Sequence, residues 1–210
     1  MTTEIEKRSH IGAVEHRADD GKRTLVGYAA VFERLADIGG YFQERIAPGA
    51  FADAISGDIR ALVDHDTGRV IGRTKSGTLR LSEDGTGLRV EIDVPDTTDG
   101  NDLWVLVERG DISGMSFGFR VTKETWDETG DVPIRTIQAL TLIEVSAVAF
   151  PAYDDTTIGM RSLEAARGEG EAHREAERRK AENAVAAKRR IAEREARQEQ
   201  RIRGIRQDAS

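Results

Sequence analysis

The sequence predicts a mainly β, α+β domain: an antiparallel sheet able to close into a barrel, with short helices around it and a charged helical extension behind it. Three observations lead there. Short apolar runs recur between glycine- and aspartate-rich connections up to residue 150, only two stretches in that region carry helix signals, and the composition changes after residue 160 to Ala, Glu, Arg, Lys and Gln. All four prolines and every aromatic residue precede Met160. We therefore divide the 210 residues into a core, 1–160, and an extension, 161–210.

Taken in order, Val14–Arg17 and Thr24–Phe32 flank Ala18-Asp19-Asp20-Gly21-Lys22, a polar connection suited to a hairpin. Strands are expected next at Tyr41–Ile46, Ile59–Val63 and Val70–Thr74. Leu79–Leu81 and Leu88–Val94 form a second hairpin around Ser82-Glu83-Asp84-Gly85-Thr86-Gly87, and Gly114–Thr122, Ile134–Leu142 and Glu144–Phe150 complete the sheet. One short helix is expected over Pro48–Ile55, where a proline stands near the start, Phe51 and Ile55 are four apart, and Gly57 follows as a stop. A better one spans Asn101–Gly110, with a polar start, an apolar stripe and a terminal glycine. Beyond Ser162 helix formers dominate, but Val185, Ile191, Ile202 and Ile205 are too few for a sustained heptad seam, so that stretch reads as a solvated helix.

Charge and composition exclude several functions. The net charge of -7 argues against a general nucleic-acid binder. It is a sum over unlike parts: the stretch from Leu163 holds 13 Lys/Arg against 10 Asp/Glu, so it is near +3 and residues 1–162 are near -10. Absence of cysteine removes disulfides, thiolate metal sites and cysteine nucleophiles. No run of eighteen apolar residues occurs, and Met1-Thr2-Thr3-Glu4-Ile5-Glu6-Lys7-Arg8 lacks the apolar core of a signal peptide, so a soluble protein made in a cytoplasm, without a membrane partner, is expected.

Of the four histidines, His10 and His16 sit in the N-terminal strand region and His173 in the charged extension, while His65 lies in the body of the sheet, in Ala61-Leu62-Val63-Asp64-His65-Asp66, where an apolar strand gives way to a polar stretch. Such an imidazole, flanked by carboxylates, suits a general base; on the segment alone it equally suits an exposed loop. In Asp111-Ile112-Ser113-Gly114-Met115-Ser116-Phe117-Gly118-Phe119, alternation turns Met115, Phe117 and Phe119 to one face and Ser116 and Gly118 to the other. The glycines leave room for another backbone, such as a substrate strand, to approach Ser116, or mark a bulge with an incidental hydroxyl. Glu144, with Ser146 on the same strand face, is a carboxylate in an otherwise apolar run; it either orients an imidazole or faces solvent. No phosphate-binding or dinucleotide glycine motif is present, and Asp64, Asp66 and Asp84 fit no calcium loop, so neither a cofactor nor a metal is expected.

Six blocks then carry a resemblance. Gly27-Tyr28-Ala29-Ala30-Val31-Phe32; Glu44-Arg45-Ile46-Ala47-Pro48-Gly49-Ala50-Phe51; Val63-Asp64-His65-Asp66 with Ile71-Gly72-Arg73; Gly87-Leu88; Ile112-Ser113-Gly114-Met115-Ser116-Phe117-Gly118-Phe119; and Leu142-Ile143-Glu144-Val145-Ser146 with Phe150-Pro151-Ala152 resemble, in order and spacing, the prohead maturation proteases of tailed bacteriophages over about residues 20–160. The resemblance implies a serine endopeptidase related in fold to the herpesvirus assemblins, an antiparallel barrel surrounded by helices. It implies His65 as base and Ser116 as nucleophile. Assemblins use a second histidine as third member; this core has none to offer, and the Leu-x-Glu-Val-Ser block carries that role to Glu144. It also implies a substrate, the scaffolding segment of the major capsid protein together with the protease itself, and a workplace, the assembling prohead in the host cytoplasm. The portal and further copies of the chain are the other partners it suggests, and the extension reads as a targeting or solubilising appendage. A non-enzymatic capsid assembly protein, or a serine hydrolase with another substrate, accounts for the same composition.

Overall fold

The computed structural model describes residues 5–10, 14–19, 21–150, 163–164, 166–182 and 185. The chain divides into two compact units, Met1–Ser162 and Leu163–Ser210. The first contains eleven described strands and one described α-helix: β1 Glu6–His10, β2 Glu15–Asp19, β3 Lys22–Val31, β4 Ala36–Ile38, β5 Phe42–Ile46, β6 Arg60–Val63, β7 Asp66–Arg73, β8 Leu79–Glu83, β9 Gly87–Asp93, α1 Thr98–Arg109, β10 Gly114–Asp127 and β11 Ile134–Val148.

The strands make two sheets. One has four strands in the order β2-β3-β9-β8, all antiparallel. Its hairpins stand where the turn residues predict them: Asp19 faces Lys22 with Gly21 at φ 79°, a left-handed conformation that glycine adopts without steric cost. The other has seven strands, β1-β10-β11-β5-β4, with β6 also paired to β11 and β7 to β6. β10 and β11 are its antiparallel spine, and Phe117, Phe119, Val121, Leu140, Leu142 and Val145 on them join Leu25, Ala29, Leu88, Val90 and Ile92 of the smaller sheet in one buried core. Phe51, Phe117 and Phe119 form an aromatic ladder there, with ring centroids 5.5 and 4.7 Å apart.

Several expectations need correction. The larger sheet is not wholly antiparallel, because β11 pairs in parallel with both β5 and β6. The hydrogen-bonded strand order closes neither sheet on itself, so the expected barrel takes the form of two sheets packed over a common core. The two strands expected at Ile134–Leu142 and Glu144–Phe150 are one, since nothing between Leu142 and Glu144 breaks the ladder; a register shift opposite Gly118/Phe119 absorbs the change of pattern. Over Pro48–Ile55 the chain makes successive turns and only a short 3-10 helix, Ala54–Ser56. Gly49 there has φ 88°, outside helical range, and the Glu83 carboxylate accepts from the N–H groups of Gly49 and Phe51. α1 begins three residues before the expected start because the Thr97 hydroxyl caps it, accepting from Gly100 N–H at 3.3 Å. Gly110, at φ 80°, ends it as expected.

In the second unit, residues 166–182 are helical and almost wholly solvated, with Glu175–Arg179 and Arg178–Glu182 pairs at i,i+4 spacing. Val185 is 68% exposed, and the expected apolar positions Ile191, Ile202 and Ile205 lie outside the described residues. Among the described residues no helix is long and apolar enough to cross a membrane.

Candidate active site

The segment Val63-Asp64-His65-Asp66 is a two-residue hairpin turn, with Val63 facing Asp66 across the β6–β7 pair. Asp64 and His65 have φ of 51° and 60°. Positive φ at both central positions is the type I′ requirement, usually met by Asn-Gly or Asp-Gly. Here histidine stands in the glycine place, a backbone cost of about 1 kcal/mol for an L residue. Such a cost is sustained where the surroundings fix the side chain, and here they do. The Asp64 N–H donates to the Ala147 carbonyl at 2.9 Å and the His65 N–H to Ser146 Oγ at 3.2 Å, so the turn hangs on the end of β11.

From there the imidazole meets Glu144, with Nδ1 2.7 Å from Oε1. Ser146, two residues on and on the same strand face, donates its hydroxyl to the other carboxylate oxygen at 2.6 Å. A carboxylate oxygen accepts, so Nδ1 is the ring's donor in this contact and Nε2 is the nitrogen left for another partner. The Glu144 carboxylate fits because its partner across the ladder is Gly118, where a Cβ would stand 2.5 Å from Oε1. The sequence left this glycine either as room for a substrate backbone or as the mark of a bulge, and a register shift does fall between Gly118 and Phe119. The space its missing side chain leaves is filled by Glu144.

Ser116 faces Ser146 on β11 and Ser9 on β1, and is fully buried. Its hydroxyl donates to the Arg8 carbonyl at 2.9 Å. The fold thus gathers the three sequence-derived candidates around Ser146, which is the cross-strand partner of Ser116 and bonds both His65 and Glu144. His65 and Glu144 touch; among the described residues His65 and Ser116 make no hydrogen bond to each other.

On the opposite face of β1 and β10 lies a feature that no sequence pattern announced. Glu6, Arg8, Glu44 and Arg135 are all at most 3% exposed. The Arg8 guanidinium forks onto Glu44 through Nε at 2.7 Å and Nη2 at 3.0 Å, and Arg135 Nη1 bridges Glu44 at 2.9 Å and Glu6 at 2.7 Å. Glu124 meets Arg135 Nε at 2.7 Å. Burial alone pushes the Glu44 carboxyl up, but the two guanidiniums outweigh it and hold the group below its ordinary range. The same carboxylates raise Arg8 and Arg135 against their own desolvation. β1 escaped the sequence reading because Glu6-Lys7-Arg8-Ser9-His10 has no apolar alternation. Its inward positions are filled by ions, whose pairing partners are 36 and 129 residues distant.

Among the described residues no group of three or more His, Asp or Glu side chains is placed to hold a metal. The profile of the caudovirus prohead serine protease family matches residues 11–169. Two relatives are named prohead protease. The one from Enterobacteria phage HK97 is 33% identical over 154 residues, 69% of this chain; the one from Escherichia phage T5 is 32% identical over 99 residues, 47% of this chain. The chain spans 64% and 44% of their respective lengths. The solved capsid assembly protease of bacteriophage T4 superposes with a TM-score of 0.46 at 15% identity, covering 69% of this chain and 95% of that one. With the family profile spanning more than half of the residues, this chain belongs to the caudovirus prohead serine protease family.

Proposed function

We propose that the protein is a serine endopeptidase that cuts the scaffolding segment of a major capsid protein, and its own chain, inside the assembling prohead in the host cytoplasm. The observation that carries the reading is the His65–Glu144 contact at 2.7 Å, held by a strained turn beside the strand that bears Ser116. Ser116 is the nucleophile, His65 the base and Glu144 the group that orients it.

In the reaction the Ser116 hydroxyl turns from the Arg8 carbonyl towards His65 Nε2. The imidazole takes the hydroxyl proton while Oγ bonds to the peptide carbonyl carbon, and the C–N bond then breaks as His65 returns that proton to the departing amine. A water molecule repeats the sequence on the acyl-enzyme: His65 takes its proton, the hydroxide oxygen bonds to the acyl carbon, and Ser116 leaves with the proton restored. Glu144 balances the transient imidazolium, and Ser146 keeps the carboxylate in place.

Residues 161–210 act in this reading as a separable assembly appendage. Deleting the chain after Ser162 should lower the number of protease copies per prohead; unchanged packaging would exclude a targeting role. For the chemistry, Ser116→Ala protein mixed with scaffold-bearing capsid subunits should leave them uncut where the unaltered chain shortens them, as read by mass spectrometry. Undiminished specific cleavage would remove Ser116 from the mechanism.

A further inference from the structure

The hydroxyl of Ser116, the nucleophile of the proposed reaction, already faces a peptide carbonyl. The hydroxyl of Ser116 has one hydrogen, and it is donated to the carbonyl of Arg8 at 2.9 Å. Arg8 belongs to β1, an extended segment laid antiparallel along β10 with Ser9 opposite Ser116, Arg8 opposite Phe117 and Glu6 opposite Phe119. A peptide that adds itself as a strand to a sheet edge takes this arrangement, with main-chain bonds along the ladder and alternate side chains in pockets.

The pocket beneath the carbonyl is specific. The Arg8 side chain enters the body of the domain, where Glu44 accepts two of its hydrogen bonds and the Phe119 ring lies 5.7 Å from the guanidinium carbon. A cavity of about 40 Å³ bordered by Arg8, Ala30, Glu44 and Phe117 leaves some room beside it. Two residues earlier, Glu6 meets Arg135 through both carboxylate oxygens.

Two further facts make β1 exchangeable. Among the described residues it is the edge of the larger sheet and pairs with β10 alone, so its departure breaks no other described ladder. It also brings one buried anion and one buried cation, and when both leave, Glu44 and Arg135 remain paired with each other at 2.9 Å. No uncompensated charge is created in the core by the exchange, which is the usual large penalty of opening a buried ion cluster.

We propose that β1 occupies the substrate's strand site as a built-in inhibitory segment: a substrate displaces it, pairs with β10, sets its scissile carbonyl in Arg8's place and its basic side chain on Glu44, with an acidic residue two positions earlier on Arg135. The substrate class is thus an extended peptide of the form acidic-x-basic, cut after the basic residue. This inference rests on Ser116 being the nucleophile.

Because the sequence contains no cysteine, His10→Cys/Met115→Cys creates a single disulfide across a directly facing pair of β1 and β10. Facing Cα atoms in antiparallel strands are about 4.5–5.5 Å apart, within disulfide range. The same full chain carrying Glu6→Ala/Arg8→Ala loosens β1 while preserving the charge balance. Both are assayed on the peptide Glu-Lys-Arg-Ser, extended and fluorogenic, and on its norleucine-for-arginine counterpart. The oxidised variant should lose at least about tenfold of the rate that reductant restores, the loosened variant should gain about tenfold over the unaltered chain, and arginine should beat norleucine by about tenfold or more. Equal rates in the oxidised and reduced states, a folded loosened variant without gain, or no preference for arginine overturns the proposal and leaves the serine peptidase intact. If none of the chains cleaves these peptides but a capsid polypeptide is cut in a Ser116-dependent way, the acidic-x-basic site is wrong. Failure of every chain on every substrate removes the peptidase reading and this inference with it.

Discussion

At the residue scale the proposed mechanism turns on Glu144, and what places Glu144 is the absence of a side chain at Gly118 together with the hydroxyl of Ser146. Both carboxylate oxygens are engaged, one by His65 and one by Ser146, within a pocket where an added Cβ would stand 2.5 Å from Oε1. A methyl group at 118 therefore has to push the carboxylate off the imidazole, while leaving the buried Phe117 and Phe119 on the other face untouched. We expect Gly118→Ala to lower kcat by about 10²-fold with little change in KM, and Ser146→Ala to lower it by about tenfold, since misplacing an orienting group by about an ångström has effects of that order. Steady-state kinetics on one peptide decides this. A Gly118→Ala enzyme with unchanged kcat would show that Glu144 does not orient the base. Sequence reasoning reached all three catalytic candidates and placed Ser146 on the same face as Glu144. It left Gly118 open between room for a substrate backbone and a bulge; a register shift does fall beside it, and only the occupant of its space, Glu144, went unseen, because a missing side chain does not say what fills its place.

Two elements border the candidate site, β1 and the β6–β7 turn, and they were unequally legible. The sequence ended the first strand at Val63 as found, but left residues 64–69 as a polar connection; the turn is only Asp64-His65 and β7 starts at Asp66, and its conformation went unseen because Asp-His is an unusual pair for two left-handed positions. The same anomaly makes a clean test of strain. His65→Ala and His65→Gly both delete the imidazole and its bond to Glu144, and differ in whether a Cβ occupies a residue at φ 60°. The glycine variant should be the more stable of the two by about 1 kcal/mol, or a few degrees in Tm for a domain of this size, with both inactive. Equal thermal midpoints would mean the turn relaxes when the ring is gone. β1, by contrast, left no trace in the sequence, and β4 is only three residues long. Hydrophobic periodicity detects strands that bury apolar side chains, and β1 buries Glu6 and Arg8, whose partners come from β5 and β11. The parallel pairing of β11 with β5 and β6 was equally invisible, since alternation reports which face a residue takes and nothing about strand direction.

For the whole molecule, the net charge of -7 is less informative than where the anions sit, because the carboxylates held by guanidiniums determine how stability responds to acid. Glu44 is buried and its carboxyl lies below its ordinary value of 4.5; Asp58, Asp84, Glu91 and Asp93, in more exposed settings, are lowered as well by hydrogen bonds to Arg73, Tyr28 and Arg80. A carboxyl whose folded pKa is depressed binds fewer protons folded than unfolded. Its contribution is complete above the unfolded value and is lost as pH falls through the folded one. Between pH 7 and about 5 the urea midpoint should fall only by the small contribution of His10, whose imidazole is pushed down by burial and by Arg34, and stability should be lost progressively below about 4.5 as the carboxylates protonate. Glu44→Gln separates the buried cluster from the surface pairs. At pH 7 it leaves Arg8 and Arg135 with one anion fewer in the core and should cost about 3 kcal/mol. Below pH 4.5 its curve should be flatter than that of the unaltered chain, and still sloped, because Asp58, Asp84, Glu91, Asp93 and Asp127, whose carboxyls are lowered too, remain. Parallel curves offset by a constant amount would place the acid sensitivity entirely on the other carboxylates, and would mean that Glu44 takes up protons equally in the folded and unfolded chain.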